Sequence, residues 1–313
     1  MTRAFVFPGQ GSQAVGMGRE LAEAFPAARH LFQEVDEALS QKLSSLMFDG
    51  PEADLTLTEN AQPALMAMSL AVVRVLESEG GVDLAKSAAF VAGHSLGEYS
   101  ALAAAGAFSV ADTARLLKIR GQAMQKAVPV GLGAMAALLG AELEQAREIA
   151  AAAAEGDVCE AANDNGGAQV VLSGHKTAID RAIKIAAERG IKRAIPLPVS
   201  APFHCALMQP AADAMEEALA KAAMKAPALP LVANVTAAAV TDPAEIRALL
   251  VRQVTGTVRW RESVLFMKAQ GVDSLVELGA GKVLGGLAKR IDKEVSGTSV
   301  GNPADIDAFL KSL

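Results

Sequence analysis

The stretch Phe90-Val91-Ala92-Gly93-His94-Ser95-Leu96-Gly97-Glu98-Tyr99-Ser100-Ala101 joins an apolar run to a helix-forming one. Upstream, Ala88 to Ala92 reads as a short buried strand bounded by glycine. Downstream, Glu98 to Ala105 is built of strong helix formers. Gly-x-Ser-x-Gly at such a junction is a nucleophile elbow, a sharp strand-to-helix turn that pushes the Ser95 hydroxyl clear of the backbone. A side chain at Gly93 or Gly97 would crowd that turn. The helix start then offers backbone N–H groups and a positive dipole end where an oxyanion would form. In a chain with 27 glycines the pattern also arises by chance, so the strand–turn–helix context carries the reading. Ser95 is the candidate nucleophile.

Working outward, Ala4 to Phe7 is a second short buried strand, ended by the turn signal Pro8-Gly9-Gln10-Gly11. Helical patterns follow over Glu20–Phe25, Leu31–Leu39, Ala61–Leu76 and Val110–Lys126. Strands alternating with helices predict an α/β fold, a parallel sheet with helices on both faces. From Pro129 the rhythm changes. Ala134–Leu139 reads as a strand, Glu142–Glu155 as a helix, and Val158–Ala162 and Ala168–Ser173 as two strands. A helix at Ile179–Glu188 and a strand at Ile191–Leu197 complete a β-α-β-β-α-β, or ferredoxin-like, order. Residues 129–199 are therefore read as a small inserted subdomain, and 1–128 with 200–313 as the main α/β domain, with a cleft between them. After the insert, helices at Ala211–Met224, Pro243–Val254 and Glu262–Ala269 alternate with strands at Leu231–Val235 and Val272–Leu278, and helices close the chain.

At 313 residues with 51% hydrophobic and 20% charged content, the chain can bury a sizeable core and is not disordered. A net charge of −6 and only 4% aromatic residues argue against a nucleic-acid partner. Cys159 and Cys205 form no metal or redox motif, so a reducing compartment is expected. The N-terminal apolar run is too short for a signal peptide, and no stretch approaches a membrane span. These features predict a soluble cytoplasmic protein with no membrane partner.

A serine hydroxyl needs a base, and the chain has four histidines. His30 falls on a helix surface. His94 precedes the nucleophile and leaves the elbow in another direction, which suits a supporting role. His175 opens a helix of the insert and reads as solvated. His204, in Ser200-Ala201-Pro202-Phe203-His204-Cys205, sits where the insert returns to the main domain, and cleft residues are drawn from such loops. It is the candidate base; the alternative is a core histidine satisfied by a backbone carbonyl. Arg120 falls on the apolar side of its helix, between Leu116 and Met124, where an unpaired guanidinium is disfavoured. Its partner is either an internal Asp or Glu, or a substrate carboxylate held bidentately.

Gly9-Gln10-Gly11-Ser12-Gln13-Ala14 matches a dinucleotide fingerprint, but Glu34 lies in a helical pattern where that reading requires a second strand. The loop could instead lend a backbone N–H to an oxyanion hole. Gly279-Ala280-Gly281-Lys282 lacks phosphate-loop spacing. No cofactor and no metal are expected.

Together these stretches resemble the bacterial malonyl-CoA:acyl carrier protein transacylase family. The matching motifs are Phe7-Pro8-Gly9-Gln10-Gly11-Ser12-Gln13, Gln62-Pro63-Ala64, Gly93-His94-Ser95-Leu96-Gly97-Glu98 and Arg120. Gly133-Ala134-Met135-Ala136, Pro202-Phe203-His204 and Glu277-Leu278-Gly279-Ala280-Gly281-Lys282-Val283-Leu284 follow in the family's order. The resemblance implies a hydrolase-like main domain with a ferredoxin-like insert, and malonyl transfer from malonyl-CoA to acyl carrier protein through a malonyl-serine, supplying fatty acid elongation. It implies Ser95 as nucleophile, His204 as base, Gln10 and Leu96 backbone N–H groups as oxyanion hole, and Arg120 on the malonyl carboxylate. A glutamine main-chain carbonyl orients the histidine in that family, and Gln253 is the matching position. Ala201 and Cys205 depart from the family, which usually has glycine and often serine there, while Phe203 is typical of malonyl users.

The chain is expected to act as a monomer. Arg189, Lys192 and Arg193 on the insert, with Lys282, Lys289 and Arg290, form a candidate basic patch for the acidic carrier. Two alternatives stand: an acyltransferase serving a polyketide synthase, and a serine esterase or thioesterase. An α/β-hydrolase esterase places its histidine near the C-terminus, whereas here the last histidine is His204, followed by residues 205–313.

Overall fold

The computed structural model describes residues 2–199 and 201–313. Ser200, at which the sequence reading resumes the main domain, lies outside the described residues, as does Met1. Ten strands occur among the described residues: β1 (Arg3–Phe7), β2 (Phe90–Gly93), β3 (Gly133–Leu139), β4 (Cys159–Asp164), β5 (Gln169–His175), β6 (Arg193–Pro196), β7 (Leu231–Ala233), β8 (Ala238–Val240), β9 (Ser274–Leu278) and β10 (Ser296–Val300).

The apolar runs of the sequence form the centre of the larger sheet, in the order β10-β9-β1-β2-β7-β8. Ala4 to Phe7 are fully buried, as expected of a parallel strand covered on both faces. β10, β9, β1, β2 and β7 run parallel, and β8 turns back antiparallel to β7. Parallel strands bring their C-terminal ends to one edge, where ligands of open α/β sheets collect. The turns after β1, β2 and β9 all leave from that edge: Pro8-Gly9-Gln10, the elbow, and Gly279 to Lys282.

One expectation is corrected here. The chain does not close on helices alone, because β10 lies between the helices Val283–Ile291 and Pro303–Leu310. Ser296-Gly297-Thr298-Ser299 is polar because β10 is an edge strand, paired only with β9, so it never acquires the apolar run of a central strand. β8 has no counterpart in the sequence reading, which assigns nothing between Val235 and Pro243. It is three residues long and edge-placed.

The second sheet has the order β4-β5-β3-β6, antiparallel throughout, with the helices Leu143–Ala154 and Lys176–Glu188 packed on it. Its core is separate, and alanine supplies much of it: Ala136, Ala146, Ala150, Ala153, Ala178, Ala182 and Ala186 are buried with Leu138, Ile149, Leu172 and Ile179. β4 carries a register shift between Ala161 and Asn163. Beyond it the strand end reaches across to the first unit. Asp164 N donates to Val258 O at 2.9 Å, Val258 N to Ala162 O at 2.8 Å, and Thr257 Oγ1 to Ala161 O at 2.7 Å. Buried Asp164 also pairs with Arg261 at 2.8 Å. The bulge re-aims β4 so that Asn163 and Asn165 face the elbow.

Helix Thr58–Gly80 is buried on nearly all sides and packs along helix Val110–Ala127. Gly121 permits this approach, since a Cβ there would stand 2.7 Å from Thr58 O. The contact places Gln62 of one helix against Arg120 of the other.

Candidate active site

Ser95 stands at φ 54°, in the left-handed region, between β2 and the helix Gly97–Ala104. A non-glycine residue there is strained by about 1–2 kcal/mol. Both glycines of the elbow are sterically required. A Cβ on Gly93 would lie 1.9 Å from Gly97 O, and one on Gly97 would lie 2.2 Å from Phe7 O. Asn234, immediately after β7, holds the turn from both shoulders: Ser95 N donates to its Oδ1 at 2.8 Å, and its Nδ2 donates to Gly93 O at 2.7 Å. Gln253 Nε2 donates to Ser95 O at 2.9 Å.

His204 is also at positive φ, 58°, and is 3% exposed. Its Nε2 lies 2.7 Å from Ser95 Oγ, across 109 residues of sequence, and its Nδ1 lies 2.8 Å from Gln253 O. A carbonyl only accepts, so Nδ1 carries the proton and Nε2 is the bare nitrogen facing the Ser95 hydroxyl. The histidine is therefore buried, satisfied by a carbonyl, and within hydrogen-bond reach of the serine. Burial first, and the Arg120 charge second, hold its pKa far down, to about 3.

Arg120 is 1% exposed. Its Nη1 donates to Gln62 Oε1 at 2.8 Å, and its Nη2 donates to Gln253 Oε1 at 2.8 Å and to Ser95 Oγ at 3.2 Å. The guanidinium lies 5.7 Å from the Tyr99 ring centroid, a cation–π distance. All of its hydrogen-bond partners are neutral side chains. Burial pulls its pKa down, opposed by Tyr99 and Glu98. Among the described residues, the backbone N–H groups of Gln10 and Leu96 have no protein acceptor.

A cavity of about 430 Å³ opens on this group, lined by Gln10, His94, Ser95, Phe203 and His204 from one side and by Met135 and Asn163 of the second sheet from the other. His94 points away from the serine, with Nε2 2.9 Å from Asn165 Oδ1; burial keeps its pKa below the ordinary value. His30 is exposed, and His175 accepts from Val158 N at 2.8 Å and does not line the cavity. A second cleft of about 520 Å³, lined by Glu144, Arg147, Arg252, Arg259, Arg261 and Glu262 among others, contains neither Ser95 nor His204. Its arginines are largely matched, Arg147 by Glu144, Arg259 by Glu262 and Arg261 by Asp164. Residues 26–39 form a helix, so the Gly9–Ala14 turn has no second strand ending at Glu34.

Sequence reasoning gave no role to Asn234, Gln62, Asn165 or Glu98. Asn234 had one signal, an amide directly after the apolar Leu231-Val232-Ala233. Glu277, in the last motif, turns out to be a cap. Its carboxylate accepts from Leu284 N at 3.1 Å, Gly285 N at 2.9 Å and Ser299 Oγ at 3.0 Å, at the start of helix Val283–Ile291.

A serine within hydrogen-bond reach of a carbonyl-oriented histidine in an α/β crevice has the geometry of a nucleophilic acyl-transfer site. The acyl transferase domain model matches residues 4–299, and the chain belongs to that family. Among its relatives, the malonyl CoA-acyl carrier protein transacylase of Bacillus subtilis (strain 168) is 45% identical over 311 residues, covering 99% of this chain and 96% of that protein. The one of Escherichia coli (strain K12) is 46% identical over 308 residues, 98% of each. Among solved structures, an acyl-carrier-protein-S-malonyltransferase from Bartonella henselae superposes with TM-score 0.97 at 56% identity, covering 100% of this chain and 99% of that one. A malonyl-transacylase in complex with a type II polyketide acyl-carrier protein gives 0.96 at 42% identity over 100% of both chains.

Proposed function

We propose that this protein is a malonyl-CoA:acyl carrier protein transacylase working by double displacement through malonyl-Ser95, with Ser95 and His204 as its catalytic pair. The observation that carries the reading is the 2.7 Å Ser95–His204 contact with Arg120 3.2 Å from the same hydroxyl. His204 Nε2 takes the Ser95 proton as Oγ attacks the thioester carbonyl. Gln10 and Leu96 N–H groups receive the oxyanion. The tetrahedral adduct collapses, and His204 returns the proton to the departing coenzyme A sulfur. The phosphopantetheine thiol of the carrier protein then gives its proton to His204, attacks the ester, and leaves Ser95 reprotonated. Gln253 O holds the imidazole in the tautomer this needs.

Arg120 supplies selectivity. A fixed guanidinium beside the nucleophile matches an acyl group bearing a free carboxylate and offers an acetyl group nothing. A cytoplasmic location, supply of fatty acid elongation, and the division into a main domain (1–128, 200–313) and an insert (129–199) belong to the same proposal. Among the described residues no helix is long and apolar enough to cross a membrane. Lys192 and Arg193 on the insert are exposed, and Arg290 reaches across to Gly167 O at 3.2 Å, which suits docking of an acidic carrier on this side. The polyketide alternative is kept as a second destination because one similar structure holds such a carrier.

Intact-mass measurement after incubation with malonyl-CoA tests the reading. One malonyl group mapping to Ser95 is expected, discharged by holo carrier protein and only slowly by water, and absent in Ser95→Ala. An adduct on the Ser95→Ala protein would overturn it, and rapid discharge by water alone would make the protein an esterase.

A further inference from the structure

Behind the elbow lies a buried acid that the transfer steps leave unused. Glu98, the second residue of helix Gly97–Ala104, is 1% exposed. Its Oε2 accepts from Gln253 Nε2 at 2.7 Å and from Asn234 N at 3.3 Å, while its Oε1 has no hydrogen-bond partner. Gln253 Oε1 accepts from Arg120 Nη2 at 2.8 Å. Glu98 and Arg120 are therefore opposite charges joined through a single amide. The amide cannot be reversed, because a flip would set NH₂ against the guanidinium and a carbonyl against Glu98 Oε2, Ser95 O and Asn234 Oδ1.

We propose that Glu98 is the resident counter-charge of Arg120, and that it takes up one proton from solvent when a substrate carboxylate reaches Arg120, releasing it when the acyl group departs. The inference rests on the malonyl reading above. In the free enzyme the buried cluster holds one cation and one anion, with His204 and His94 kept neutral by burial. A malonyl group adds a second carboxylate to the same enclosed space, which then carries an excess anion. The malonyl carboxylate touches the guanidinium directly, whereas Glu98 reaches it only through Gln253. Glu98 is thus the one to be neutralised. Its Oε1 can carry the proton without displacing a donor, and its Oε2 goes on accepting from Gln253.

The groups facing Glu98 are few. Helix Val110–Ala127 presents Arg120, its own helix presents Tyr99, and Asn234 and Gln253 are uncharged. β1 and β2 approach the start of its helix with Phe7 and Gly93. Burial, opposed by Gln253, Asn234 and Arg120, already lifts Glu98 to about 7 in the free state, so it stands ready to respond near neutral pH.

Acyl exchange between Ser95 and coenzyme A moves no net proton, because the serine proton leaves on the thiol. Any uptake therefore reports a side chain. A pH-indicator dye in weak buffer, with adducts counted by intact mass on the same samples, measures protons per malonyl-enzyme. For a group titrating near 7, uptake is about a tenth of a proton at pH 6 and about three quarters at pH 7.5. Glu98→Gln should form adduct with no uptake. Adduct without uptake in the unmodified protein would overturn the inference, as would equal uptake in Glu98→Gln. Uptake by His94 or His204 would decrease as pH rises, so the unmodified protein decides even where the variant does not fold. Failure to form any adduct would refute the malonyl reading itself.

Discussion

Truncating Asn234 tests whether the elbow is held from outside its own turn. Asn234 is fully buried, and Asn234→Ala removes the acceptor of Ser95 N and the donor to Gly93 O in one step. Two backbone groups are left unpaired in a closed environment, each worth about 1–3 kcal/mol. The residue they brace is already strained at φ 54° by about 1–2 kcal/mol, so the turn has every reason to relax once released. The expected loss is about 3 kcal/mol in urea unfolding, together with a fall of at least about tenfold in the single-turnover rate of coenzyme A release, since Oγ moves relative to a fixed imidazole. Asn234→Asp keeps an acceptor but loses the donor and sets a second carboxylate beside Glu98 Oε2, so it should be no better than alanine. Unfolding within about 0.5 kcal/mol of the unsubstituted protein and an unchanged acylation rate would refute the reasoning.

Arg120→Ala should lower kcat/KM for malonyl-CoA by about 3 kcal/mol, roughly a hundredfold, while leaving that for acetyl-CoA nearly unchanged; an undiminished preference for malonyl would remove the carboxylate role. His204, held neutral to about pH 3 when folded, regains an ordinary value near 6.5 when unfolded, so below 6.5 the unfolded chain binds a proton that the folded one refuses. Stability owed to this group is complete above pH 6.5 and declines on acidification: relative to His204→Gln, which does not titrate, the unsubstituted protein should lose about 1 kcal/mol between pH 7 and pH 5.5 in urea unfolding. A gap that stays constant over that range would show that the imidazole titrates normally.

The fold was readable where local chemistry and global role agree. The central strands are apolar because both their faces are covered, and the second sheet with its two helices announces itself by six elements in β-α-β-β-α-β order. β10 escaped because an edge strand needs little apolar content, so Ser296-Gly297-Thr298-Ser299 carries no periodic signal, and β8 escaped because three residues are too few to show alternation. The short helices Leu43–Asp49, Glu52–Thr56 and Leu84–Ser87 were missed as well, since a few residues cannot display a 3.6-residue period.

The site divides along a different line. Ser95 was legible because its geometry is made by its neighbours: two glycines whose absent Cβ atoms leave room for backbone at 1.9 and 2.2 Å. Arg120 was legible as a misfit on an apolar helix face, though its partners were not, since the sequence left an internal acid and a substrate carboxylate equally open. The structure gives a third answer, with neutral Gln62, Ser95 and Gln253 in contact and an acid one amide away. That arrangement depends on pairs 58, 133 and 155 residues apart, and no local pattern encodes such separations. It also has a physical logic. An acid in direct contact would occupy the guanidinium and exclude a substrate carboxylate, whereas no acid at all would leave a bare buried cation. Placing Glu98 behind Gln253 sets a counter-charge near Arg120 without touching it and leaves Arg120 Nε without a protein partner, and only folding brings the three residues into that line.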